Sequence, residues 1–326
     1  MKRKIAVVAG GDSKEYEISM MSASVVLSHL DPSKFEPYLV VIRGKDWYYS
    51  DPGGLNYPVS IEDFSLDLPG RKIFFDGIFI AIHGTPGEDG KLQGYFDLLG
   101  LPYTSCDQAT SAITFHKYFC NHYVSSFGVR IARSVVVHSM DGVHIETLQG
   151  SVGLPIFVKP VRGGSSVGTS KVKTWDEIGP ALEKAFREDS QVMLEEYIPG
   201  REIACGVAWN KGKLITLPLT EIISKNEFFD YEAKYEGKSE EITPAVLPHR
   251  MAAECCDTSR MLYQLLNCRG IVRFDYILNG SDLFFLEVNT VPGFSELSIV
   301  PQQALTAGIS LRELFTEAME RAPGPR

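Results

Sequence analysis

Two apolar segments near the carboxyl end, with polar groups at alternating positions, restrict this chain more than any other feature. Gly270–Leu278 carries Arg273 and Asp275, and Leu283–Asn289 carries Glu287 and Asn289. Residues two apart share one face of a strand. The link Asn279-Gly280-Ser281-Asp282 is rich in turn formers, so the pair reads as a hairpin. A three-residue loop, Gly280 to Asp282, opposes Asn279 to Leu283, Asp275 to Glu287 and Arg273 to Asn289. A two- or four-residue loop without a bulge would turn Glu287 to the other face, so the odd loop is expected. Two carboxylates side by side raise each other's pKa unless a cation lies between them. Oxygen ligands from Asp, Glu and Asn suit Mg2+. The plainer alternative is a solvated polar face with an Arg–Asp ion pair.

A second constraint is Lys159-Pro160-Val161-Arg162-Gly163-Gly164-Ser165-Ser166-Val167-Gly168, which follows a strand-like run from Leu154. Glycines and serines let backbone N–H groups approach a phosphate, and Lys159 offers a point charge. No GK[ST] follows the glycines, so it is not a Walker A loop. A mobile lid over phosphates competes here with a flexible surface loop. Between Ser224 and Ser239 runs a long polar, aromatic loop containing Lys234 and Tyr235. Long ordered loops are uncommon unless functional.

At the amino end, Lys4–Ala9 reads as a buried strand, Gly10-Gly11-Asp12-Ser13 as a turn and Glu15–Leu30 as a helix. Tyr38–Ile42 and Gly77–Ile82 read as further strands. This opening predicts a Rossmann-like parallel α/β domain. Its turn fails the GxGxxG pattern, which weakens a dinucleotide-dependent oxidoreductase reading. His83 stands just past the third strand, where open α/β sheets place ligands. Downstream, Ser111–Phe127 and Trp175–Glu188 read as helices, and Ser134–His138, Leu154–Pro160 and Val192–Tyr197 as strands. Strands are also expected at Ile203–Ala208 and Leu214–Thr220, and helices at Ala252–Leu266 and Ser310–Arg321. The tail Ala322–Arg326 is expected to be disordered. The division predicted is 1–103, 104–196 and 197–326, an α/β domain followed by two α+β units.

With 326 residues the chain can bury a sizeable core. A formal net charge of -9 argues against nonspecific nucleic-acid binding. The six cysteines form no CxxC pair and suit reduced thiols in a cytosolic protein. The basic start Met1–Lys4 is followed by too short an apolar stretch for a secretory signal, and no run is long enough to span a bilayer. No nucleic-acid or membrane partner is expected, and the location expected is the cytoplasm.

Taken in order, these motifs resemble the D-alanine:D-alanine ligase family of the ATP-grasp superfamily. The matching stretches are Gly10-Gly11 through Glu15 and Ser19; His83-Gly84 through Gln93-Gly94; Lys159-Pro160 through Gly168; Glu195 with Gly200-Arg201-Glu202; Tyr231–Tyr235; Arg273 and Asp275; and Glu287 through Gly293. The resemblance implies a two-subdomain ATP-grasp fold after the first domain. Lys117, Lys159 and Lys234 would hold the ATP phosphates beneath the loop that contains Ser166. Glu195 to Ile198, with Glu196 between them, would face adenine, and Glu202 the ribose. Asp275, Glu287 and Asn289 would bind two Mg2+ or Mn2+ ions. Glu15 would take the ammonium of the first D-alanine, with His83 near its carboxylate. Ser165 and Tyr235 would complete a hydrogen-bonded triad with Glu15. Arg273 and the Gly293 N–H would stabilise an oxyanion. Ser298 would bind the second carboxylate, and Ile299 would tune that subsite. The product implied is D-alanyl-D-alanine for peptidoglycan, and the assembly a homodimer. A D-serine or D-lactate acceptor is the nearest alternative; a catalytically silent nucleotide-binding module is a distant one.

Overall fold

The computed structural model describes residues 1–141, 143–224 and 239–323. Its first sheet is built on β1 (Arg3–Gly10), whose last six residues are all buried, as a strand covered on both faces requires. After α1 (Tyr16–His29) come β2 (Phe35–Arg43), β3 (Asp46–Ser50) and β4 (Asn56–Pro58). A two-stranded ribbon of β5 (Leu66–Leu68) and β6 (Arg71–Ile73) precedes β7 (Gly77–Ile80). The sheet order is β4-β3-β2-β1-β7. β1 runs parallel to β2 and β7, and β3 and β4 add an antiparallel edge. Ser19 fixes α1 onto this sheet: its hydroxyl accepts from Gly10 N–H and donates to Ala81 O, each at 2.8 Å. The turn before α1 must be glycine, because a Cβ on Gly11 would lie 2.6 Å from Ile82 Cγ2.

The helix α2 (Lys91–Leu99) leads into α3 (Gln108–Phe115) and α4 (Lys117–Ser125). Sequence reading expected one helix over Ser111–Phe127. The chain instead breaks at His116, which is extended, and its ring accepts from Phe119 N–H to cap α4. The break places Lys117 in the first turn of a new helix. β8 (Arg130–Ile131) then joins the third sheet. β9 (Ser134–Val137), the short α5 (Ile145–Gln149), β10 (Ile156–Pro160), β11 (Ser170–Val172), α6 (Ile178–Phe186) and β12 (Val192–Glu196) follow. They make an antiparallel sheet of order β11-β10-β12-β9, with α6 packed on it.

The third sheet contains β13 (Arg201–Asn210), β14 (Lys213–Thr216), β15 (Thr220–Ser224) and β16 (Ser239–Ile242). After α7 (His249–Leu265) it is completed by β17 (Val272–Asn279) and β18 (Asp282–Asn289), in the order β16-β15-β13-β17-β18-β8 with β14 beside β13. The last helices, α8 (Ile299–Thr306) and α9 (Leu311–Glu320), return to the first sheet. Phe315, Leu314 and Val300 share one core with Val7, Phe79 and Ile80. Of the tail expected to be disordered, only Ala322 and Pro323 lie within the described residues.

The hairpin corrects one expectation and meets another. Asp275 does oppose Glu287, and Arg273 opposes Asn289. The turn, however, has two residues, Gly280 and Ser281, with Asn279 paired to Asp282. Gly280 supplies the positive φ, +59°, that a tight hairpin turn needs at its first central position. A bulge between Asp275 and Tyr276 restores the register by leaving Leu286 without a partner across the ladder.

Candidate active site

Two adjoining cavities, of about 470 and 430 Å3, lie between the second and third sheets and against the first. Lys117, Gly163, Gly164, Ser165 and Glu287 line both. The first cavity is also lined by Lys159, Ser166, Glu195, Glu196, Ile198 and Glu202, with Phe157, Ile223 and Leu286 as apolar wall. The second is lined by Glu15, His83, Arg273, Asn289, Gly293, Ser298 and Ile299. The structure thus gathers the expected site residues that it describes into two neighbouring spaces, with the exception of Asp275, which lines neither. Lys234 and Tyr235 lie outside the described residues.

At the junction, the Ser165 hydroxyl donates to Glu15 Oε1 at 2.6 Å. Ser165 and Ser166 both have positive φ, 52° and 54°, which turns the loop over the cleft. Gly164 packs closely under this carboxylate: a Cβ on it would sit 2.6 Å from Glu15 Oε2 and displace the Glu15 side chain. A second link joins the same parts, a 2.8 Å ion pair between Lys14 and Glu188.

On the hairpin, Arg273 grips Asp275 with two hydrogen bonds, Nε to Oδ1 at 2.8 Å and Nη2 to Oδ2 at 2.7 Å. Burial works against the guanidinium charge, but Asp275 and Glu287 outweigh it and raise the Arg273 pKa. Asn289 Nδ2 donates to Asp275 Oδ2 at 3.0 Å. Lys117 Nζ donates to Gly163 O at 2.6 Å and lies 3.7 Å from Glu287. The Arg–Asp pair of the plainer reading is therefore present, but it is not solvated: Arg273 lines the second cavity and Asp275 is buried behind it, 2% exposed. Gly293 packs against Ser298: a Cβ on it would meet the Ser298 hydroxyl at 2.7 Å.

His83 is buried, and both ring nitrogens are engaged. Nδ1–H donates to Val291 O at 2.8 Å, so Nε2 accepts from the Ser22 hydroxyl at 2.9 Å. Burial, with Arg273 adding to it, lowers its pKa, which keeps the ring neutral. Glu88, which sequence reading did not single out, holds the preceding peptide group, on the other side of the Val291 Cα. It accepts from Val291 N–H at 3.1 Å and Gly84 N–H at 2.7 Å. Burial, and then the Glu15 charge, push its pKa up to about 8. Its position five residues after His83 in a glycine-rich turn was the signal available.

In the first cavity, Lys159 Nζ donates to Glu195 Oε2 at 2.6 Å. Asn121, also unforeseen, donates to Glu195 Oε1 at 3.2 Å. The Glu196 carboxylate accepts from Gly153 N–H at 2.8 Å and meets Arg133 at 3.3 Å. Neither carboxylate is thus committed to adenine. Among the described residues, no group of three His, Cys, Asp or Glu side chains is poised to hold a metal. No helix among them is long and apolar enough to cross a membrane.

Comparison with known proteins agrees with this geometry. The families described as D-ala D-ala ligase N-terminus and C-terminus match residues 4–106 and 124–320. A D-alanine–D-alanine ligase of Phocaeicola vulgatus is 45% identical over 321 residues, covering 98% of this chain and 99% of that protein. One from Flavobacterium johnsoniae is 43% identical over 318 residues, 98% of each. The crystal structure of a D-Ala:D-Ser ligase from Enterococcus faecalis superposes with a TM-score of 0.87 at 33% identity, covering 98% of both chains. A Bacillus anthracis D-alanine–D-alanine ligase complexed with ATP gives 0.77 at 25%, covering 98% of this chain and 96% of that one. Matched from residue 4 to residue 320 and with its motifs folded around one cleft, the chain belongs to the D-alanine–D-alanine ligase family.

Proposed function

We propose that this protein joins two D-alanine molecules at the expense of ATP, releasing ADP and phosphate. The observation that carries the reading is the shared wall of the two cavities: Lys117, Ser165 and Glu287 face both. A carboxylate lying there meets a nucleotide phosphate on one side and an acceptor on the other. The first D-alanine carboxylate attacks the γ-phosphorus, the bond to ADP breaks, and an acyl phosphate forms. The amine of the second D-alanine attacks the acyl carbon, loses a proton, and phosphate leaves as the peptide bond is completed.

Lys117 and Lys159 are assigned to the phosphates, together with Lys234, and Ser166 to the covering loop. Phe157 and Leu286 fit an adenine ring, with Glu195, Glu196 and Ile198 along its edge and Glu202 at the ribose. Glu15 takes the donor ammonium and His83 stands near the donor carboxylate. Because its nitrogens already serve Val291 and Ser22, His83 acts mainly by shaping the site. Arg273 and Gly293 N–H stabilise the tetrahedral oxyanion. Ser298 and Ile299 form the acceptor subsite, and Ser165 with Tyr235 bridges it to Glu15. Closure of the glycine–serine loop keeps water from the acyl phosphate.

Asp275, Glu287 and Asn289 fit a pair of Mg2+ or Mn2+ ions. They offer oxygen donors from adjacent strands, in register, and Arg273 and Lys117 compensate their charge. Such ions, when bound, neutralise the transferring phosphoryl group.

We further assign three units, 1–103, 104–196 and 197–326, each holding most of one main sheet, although β8 of the second unit pairs into the third sheet and α8 and α9 of the third unit pack on the first, together with a cytoplasmic location, supported by six free cysteines, and a homodimer. Light scattering should give twice the 36.2 kDa chain mass. The decisive assay is ADP and phosphate release with and without D-alanine, with the product identified by mass. Dipeptide formed only with D-alanine supports the reading. Turnover with D-serine or D-lactate alone would overturn the acceptor, and no turnover with any would favour a silent module.

A further inference from the structure

Lys159 and Glu195 are diagonal neighbours on one sheet face, since Lys159 opposes Met193 and Phe157 opposes Glu195. Both are buried, 8% and 3% exposed. Glu195 Oε2 takes one proton of the ammonium at 2.6 Å. Its other oxygen takes Asn121 Nδ2 at 3.2 Å, from an amide only 1% exposed. Asn121 Oδ1 has no hydrogen-bond partner among the described residues. Turning the amide over would set that oxygen against the carboxylate, so the orientation is dictated by Glu195. An amide kept in a buried site with one end unsatisfied is held there by what its other end does.

Asn121 also shares a helix face with Lys117, four residues earlier on α4. We propose that Asn121 is a positioning residue for nucleotide binding: by tethering Glu195 it fixes the Lys159 ammonium toward the phosphates, so that one helix, α4, sets two lysines of the cleft, Lys117 and Lys159. Lysine is a flexible point charge, and a carboxylate held by that lysine alone would move with it. With both Glu195 oxygens engaged from two directions, the pair cannot slide along the sheet, and the remaining Lys159 protons keep a constant direction.

The inference rests on the ATP reading of the cleft and is tested apart from it. Asn121→Leu removes the donor and keeps the branching of the side chain. The dissociation constant for ADP by calorimetry, and KM for ATP, should rise roughly tenfold, the scale of one hydrogen bond to a charged group. KM for D-alanine should stay within about twofold. A structural role alone would lower the melting temperature and leave the ratio of the two KM values unchanged, and that result overturns the proposal. If Asn121→Leu fails to fold, Asn121→Ser, which cannot reach Glu195, carries the same comparison. A wild-type protein that binds no ADP would overturn the ATP reading beneath it.

Discussion

Ser165 and Glu15 stand 150 residues apart in the chain and 2.6 Å apart in the fold, hydroxyl to carboxylate. This bond closes the glycine–serine loop onto the turn before α1 and holds Glu15 in one orientation. Ser165→Ala should raise KM for D-alanine by about tenfold, because a hydrogen bond to a charged group contributes about 1.5–3 kcal/mol. KM for ATP should move less than about threefold. Steady-state kinetics with each substrate varied in turn checks this. Equal losses for both substrates would show that Ser165 serves the loop as a whole.

His83 and Glu88 grip the two peptide groups that flank Val291, one at its C=O and the other at its N–H, and their titrations set opposite limits on stability. Glu88 has its pKa raised from 4.5 to about 8, chiefly by burial. The native state therefore binds its proton more tightly, and the stability it contributes is complete below pH 4.5 and lost as pH rises toward 8. His83 has its pKa lowered from 6.5, again by burial, so its contribution is complete above pH 6.5 and lost as pH falls. The melting temperature of the ligand-free protein should fall toward both ends of the range. Glu88→Gln should flatten the alkaline limb between pH 5 and 8 and leave the acid limb in place. A variant whose alkaline limb runs parallel to the wild type would disprove the assignment.

The parts of this site that could be read from sequence are those set by periodicity and loop composition. Alternation put Arg273 with Asp275 and Glu287 with Asn289, each pair on one face of its strand, while their common face depended on the register; the glycine–serine loop declared itself by its small residues. The pairing of Glu15 with Ser165, by contrast, came with the family resemblance. Asn121 and Glu88 stayed hidden because their roles depend on partners far along the chain, Glu195 and Val291, that no local pattern connects. The break at His116 was missed because the ring caps a helix in place of the usual Ser, Thr or Asp. α2 was missed because Gly94 and the flanking Gly90 and Gly100 mask its helical composition.

Glu287 faces both cavities, and its carboxylate balances Lys117. On the proposed metal assignment, Glu287→Gln should lower Mg2+-dependent turnover by more than roughly 100-fold, because it would neutralise a ligand directly and not an outer partner. Its melting temperature should stay near that of the wild type, since the pair is partly exposed and such pairs contribute little. Turnover measured across a Mg2+ titration, alongside a thermal melt, decides the matter. Wild-type activity in the folded variant refutes the metal assignment.

Leu286 is the residue by which this hairpin keeps Glu287 opposite Asp275 after a two-residue turn. In a bulge, two successive residues of one strand face a single partner, and Leu286 and Glu287 both line the first cavity. The sequence permitted two solutions, an odd loop or an even loop with a bulge, and local turn chemistry at Gly280 selected the second. Deleting Leu286 therefore has a specific expected outcome. The ladder would run on from Tyr276–Phe285 to Asp275–Glu287 without interruption, so the carboxylates stay opposed and turnover stays dependent on Mg2+. What is lost is one apolar wall of the nucleotide cavity; full burial of a leucine side chain is worth about 1.5–3 kcal/mol and Leu286 is half-buried, so KM for ATP should rise by up to roughly tenfold. Leu286→Ala should show the same effect on ATP at smaller size, with the bulge retained. Complete loss of turnover in the deletion, with Leu286→Ala still active, would mean that the bend imparted by the bulge, and not the register alone, aims Glu287 at the metal.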